Sequence, residues 1–95
     1  MNQHLPAAER IRKKLEAAFS PDRLEIEDDS ARHAGHAGAR AGGESHFKVA
    51  IVSAAFEGLS RVERQRKVYA VLKEELAGGV HALQLDTRTP REASR

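Results

Sequence analysis

Ninety-five residues make one small domain, with no room for a second hydrophobic core. Apolar residues at 40% and charged residues at 32% suit a globular chain, and 16 Lys+Arg against 14 Asp+Glu leave a net charge of only +2. The balance is too mild to imply nucleic acid by itself, no apolar run nears the ~20 residues of a membrane helix, and the lack of cysteine excludes disulfides and self-supplied thiolates.

The start, MNQHLPAAER, lacks the basic-then-apolar plan of a secretory signal, so a cytoplasmic location is expected. Leu5 to Phe19 reads as an amphipathic helix. Leu5, Ala8, Ile11, Leu15 and Ala18/Phe19 recur at helical spacing, and charged residues fill the opposite face. Pro21 ends it, because the residue before a proline is pushed out of helical geometry. Arg23 to Asp28 alternates Leu24 and Ile26 with Glu25 and Glu27, the pattern of a half-buried strand.

Periodicity then vanishes. Residues 29–44 form a Gly/Ala/His stretch carrying His33 and His36, which reads as a flexible loop. Ser45 to Ser53 is a second strand, with Phe47, Val49 and Ile51 on one face and His46, Lys48, Ala50 and Val52 on the other. Ser60 and Glu63 spell a capping box at the start of the main helix. Its expected buried stripe is Val62, Tyr69, Leu72 and Leu76, with Val68 and Val71 beside it. Gly78-Gly79 supplies a left-handed stop. Val80 to Thr87 is a third strand, placing Leu83 and Leu85 in the core and His81 in the same parity near its start. Thr89-Pro90-Arg91-Glu92 spells one more helix start.

The order helix, strand, strand, helix, strand predicts a single α+β domain over residues 1–95, with helices on one face of a three-stranded mixed sheet. The first two strands should pair antiparallel, and the third should run parallel to the second through a right-handed helical crossover. That arrangement delivers His33, His36, His46 and His81 to one edge of the domain, while His4 stands apart near the N-terminus. Strict alternation turns His46 to the open face and His81 toward the core, a conflict that a bulge or strand end would relax.

Each signal also has a plainer reading. His81 alone would be an ordinary, partly buried histidine, His46 a hydrogen-bonding residue on the open face, and the H-x-x-H of His33 and His36 a weak metal signal. Arg61, Arg64, Arg66 and Lys67 could meet phosphates from the main helix, or form a solvated face or a protein-contacting rim. The GHAG string at residues 35–38 lies between two strands, not between the two helices that flank an RNA-binding GxxG loop. No G-x-S-x-G elbow, P-loop or opposed carboxylate pair is present, so the chain reads as a non-enzyme.

The segments ESHFKVAIVSAAFEG (44–58), RVERQRKVYAVLKEEL (61–76) and GVHALQLDTRTP (79–90), in this order, resemble the BolA family, and RHAGHAG (32–38) is similar to the loop of its histidine-bearing members. The resemblance implies a class II KH-like fold. It also implies a partner, a monothiol glutaredoxin, and a [2Fe–2S] cluster shared with that protein and glutathione. By the same resemblance the family's VHAL histidine falls on His81. The loop ligand falls on His33 or alternatively His36, with His46 a further candidate. Family members can carry a cysteine in this loop; this chain has none, so its ligands would be imidazoles or, failing that, carboxylates. Iron–sulfur trafficking or iron and redox regulation is the implied role, and a DNA-binding regulator using the main helix is the alternative.

Overall fold

The computed structural model describes residues 6–28 and 46–94. Helix α1 (Ala7–Phe19) is followed by strands β1 (Arg23–Asp28) and β2 (His46–Val52) and a single 3-10 turn at Ala54–Phe56. Helices α2 (Arg61–Val71) and α3 (Lys73–Ala77), strand β3 (Ala82–Arg88) and helix α4 (Pro90–Ala93) complete it. Leu5 and the stretch 29–44 lie outside the described residues.

Helix α1 buries Ala7, Ile11, Leu15 and Phe19, one residue per turn. It ends where Ser20 turns left-handed (φ 43°) and donates its N–H to the Glu16 carbonyl, just ahead of Pro21. The sheet order is β1-β2-β3, with β1 antiparallel and β3 parallel to the central β2, as the strand order predicts. Phe47, Val49 and Ile51 point into the core with α1, while Leu24, Ile26, Leu83 and Leu85 pack at its margins. Among the described residues no helix covers the other face of the sheet, where His46, Lys48 and Ala50 are half-buried. No helix among the described residues is long and apolar enough to cross a membrane.

Ser53 locks three elements together from a fully buried position. Its Oγ donates to the Phe19 carbonyl (2.6 Å) and accepts from the Ala55 N–H (3.0 Å), while its own N–H donates to the Arg88 carbonyl (2.9 Å).

Three expectations need correction. The main helix is two helices, broken at Leu72 (φ −100°, ψ 20°), after a run of Val68, Tyr69 and Val71 whose branched or aromatic side chains are weaker helix formers. Its buried stripe is Arg64, Val68 and Leu72, at successive turns, and then Glu75. Val62 and Tyr69 are 54% and 40% exposed. Apolar periodicity missed this because two of the four inward positions carry charges. The third strand begins at Ala82 and not at Val80, because the Val80 N–H is spent on closing α3.

Candidate ligand edge and the arginine on the main helix

Parallel pairing of β2 with β3 sets His46 beside Ala82, so both strands begin at one edge of the sheet. Strand β1 ends there too, with Asp28 opposite Phe47. The two described ends that flank residues 29–45 therefore meet at the edge where His46 and His81 sit. His33 and His36 themselves, like His4, lie outside the described residues.

His46 is half-buried and shares the open face with Lys48 and Ala50. His81 precedes the first residue of β3 and is exposed. Its odd parity no longer drives it into the core, because the strand has not yet begun. The strand end relaxes the conflict between the two histidines.

The turn that presents His81 is tightly built. The Glu75 carbonyl accepts from the Gly78 and Val80 N–H groups, each at 3.1 Å. The bond from Val80 is the six-to-one closure of a Schellman motif, and it needs a residue at positive φ just before Val80. Gly79 supplies that at φ 137°. Val80 then drops its side chain into the core (5% exposed), and His81 follows in solvent.

The donor set is open. Among the described residues no group of three or more His, Cys, Asp or Glu is placed to hold a metal ion. Among the described residues, this end of the sheet therefore offers two imidazole-bearing residues and, in a chain without cysteine, no thiolate.

The basic residues of α2 divide. Arg61, Arg66 and Lys67 are exposed, whereas Arg64 is buried (6% exposed) and leaves the set able to reach a phosphate. Its Nε donates to the Leu59 carbonyl and its Nη1 to the Thr87 carbonyl, both at 3.0 Å. A fork closes on Glu92, with Nη1 to Oε1 at 2.7 Å and Nη2 to Oε2 at 3.2 Å. The guanidinium carbon also lies 6.0 Å from the Phe56 ring centroid. Glu92 Oε1 accepts the Thr89 N–H as well, completing the capping box expected at Thr89-Pro90-Arg91-Glu92.

The Arg64 guanidinium, and after it the Thr89 N–H, hold the Glu92 carboxyl down at about 2. A lowered carboxylate stabilises the fold fully above its ordinary value of 4.5, and that contribution is lost as pH falls from there through about 2. Thermal unfolding followed from neutral pH downward is expected to decline more steeply in this window for wild type than for Glu92→Gln. Parallel profiles would show that the pair does not stabilise the domain.

A shallow concavity of about 470 Å³ on the open face, lined by Glu25, Glu27, Lys48, Ala50 and Asp86, is a weaker candidate. Arg23 pairs with Glu25 and Arg88 with Asp86 within single strands, each at 3.0 Å, so much of its rim charge is locally satisfied.

A small α+β domain with helices on one face of a three-stranded sheet, and histidines at its parallel edge, is the class that fold and site define. The sequence profile described as BolA-like protein matches residues 15–92. BolA-like protein 1 of Pongo abelii is 49% identical over 87 residues, covering 92% of this chain and 61% of its own length. The Escherichia coli (strain K12) protein named DNA-binding transcriptional regulator BolA is 50% identical over 84 residues, covering 88% of this chain and 76% of that one. Among solved structures, BolA1 from Arabidopsis thaliana superposes with a TM-score of 0.81 at 50% identity, covering 90% of this chain and 93% of that one. The chain belongs to the BolA-like protein family, and it spans about three-fifths of the length of the Pongo abelii relative.

Proposed function

We propose that this chain is a non-enzymatic, cytoplasmic partner of a monothiol glutaredoxin, to which it offers histidine ligands for a shared [2Fe–2S] cluster in iron–sulfur trafficking or iron and redox regulation. The observation that carries this reading is the meeting of His46 and His81 at the edge where the His33- and His36-bearing stretch leaves and re-enters the sheet. When bound, such a cluster supplies a redox centre whose potential rises as neutral imidazoles replace thiolates. This chain's own contribution is its imidazole ligands and the turn that places them. His81, exposed just after a hydrogen-bonded turn, is the leading ligand, and His33, His36 or His46 is the second. The thiolates that the chain lacks would come from the partner and glutathione.

Titration of the isolated protein, expected to be colourless, into cluster-loaded monothiol glutaredoxin with glutathione tests the reading. The visible absorption and circular dichroism are expected to move toward those of a mixed Cys/His cluster. A titration that leaves both spectra unchanged rejects it.

A second reading, DNA binding through α2, is favoured by the likeness to the Escherichia coli DNA-binding transcriptional regulator BolA. Three exposed cations, Arg61, Arg66 and Lys67, remain for it. Binding to promoter fragments at low and physiological salt discriminates, because nonspecific phosphate contacts weaken steeply with salt while base readout keeps a sequence preference. Loss of all binding at physiological salt would leave no sequence-specific regulator.

A further inference from the structure

We infer that Glu75 is a positioning residue for His81, an assignment that rests on the proposed ligand role of that histidine. Its side chain is 3% exposed, yet it is charged and sits on a helix of only five residues. So short a helix is not stable alone and must be held by its surroundings. The hold on Glu75 comes from α1. Lys14 Nζ lies 3.0 Å from the carboxylate and Arg10 Nε 3.4 Å from its Oε2. Lys14 also reaches the neighbouring Glu74 Oε1 at 2.6 Å, so one ammonium ties two consecutive residues of α3 to α1.

The main chain of the same residue faces the other way. The Glu75 carbonyl accepts the Val80 N–H, the last fixed donor before His81. Side chain and carbonyl thus join α1 to the histidine turn through a single residue. An apolar side chain could fill the same space, but it would not fix the direction of the turn as directional, charge-assisted bonds do. Glu74 is held by the same ammonium, but its own carboxylate is largely exposed, so the buried anchor of the turn is Glu75.

The test compares wild type, Glu75→Gln and Lys14→Met by amide hydrogen exchange and by the glutaredoxin titration. Glu75→Gln keeps the shape and removes the charge. It is expected to speed exchange of the Val80 amide by about an order of magnitude, while the Val49 and Ile51 amides of β2 keep their wild-type protection. The mixed-ligand dichroism should fall in the same variant. Lys14→Met leaves Arg10 on the carboxylate and should move both readouts the same way by less; it also decides the matter should Glu75→Gln fail to fold. Unchanged Val80 exchange, or equal loosening of Val80 and of the β2 amides, overturns the inference. Absence of the dichroic change in wild type would instead reject the cluster reading, and the amide comparison would still decide what Glu75 holds.

Discussion

Replacing Arg64 with alanine is expected to destabilise the domain by about 3 kcal/mol, the scale of leaving buried acceptors without their donor. The guanidinium satisfies the Leu59 carbonyl at the approach to α2, the Thr87 carbonyl near the end of β3 and the Glu92 carboxylate of α4. Alanine leaves both carbonyls without this donor, leaves Glu92 only its bond from the Thr89 N–H, and opens the space beside Phe56. Unmade hydrogen bonds at buried acceptors cost about 1–3 kcal/mol each when water cannot replace them, and the half-exposed Glu92 limits the total. Arg64→Lys should recover only part of the loss, because an ammonium cannot form the fork to both carboxylate oxygens. Urea unfolding measures the difference, with Arg66→Ala as the control. That exposed position should stay within about 0.5 kcal/mol of wild type. An equally small loss for Arg64→Ala would show that the pocket around the guanidinium rehydrates freely. Any DNA-binding defect in Arg64→Ala would follow from damage to the fold and not from a lost phosphate contact.

His81→Ala is expected to abolish the dichroic change produced on mixing with cluster-loaded glutaredoxin, and His46→Ala to reduce it. The asymmetry follows from placement. His81 is solvent-exposed outside any strand, so its removal should shift stability by no more than about 0.5 kcal/mol, and the spectral loss can be assigned to a missing ligand. His46 is half-buried in β2, where it also helps to cover the sheet. Loss of signal there mixes ligation with local structure, and its melting curve must be compared first. A wild-type spectrum in His81→Ala would remove this residue from the ligand set.

Some of this architecture was legible locally. The alternation of Leu24 and Ile26, the run from Phe47 to Ile51 and the boxes at Ser60/Glu63 and Thr89/Glu92 each appear where the spacing places them. These depend on neighbours within a few residues, where periodicity and capping operate. The chain order also implied a parallel third strand, and with it the meeting of distant histidines.

What the residues alone determined was therefore the strand order, its pairing, the helix starts and the end of the sheet at which the strands near His46 and His81 begin. Tertiary structure decided which side chains face inward on α2 and α3. Val62 and Tyr69 turn out to solvent, and Arg64 and Glu75 turn in. The partners that make this possible stand far away in sequence: Thr87 and Glu92 for Arg64, at separations of 23 and 28, and Lys14 for Glu75, at 61. A buried charge is tolerable only when its counter-charge and acceptors are already in place. No local pattern can show that, because the compensation exists only after the chain has folded.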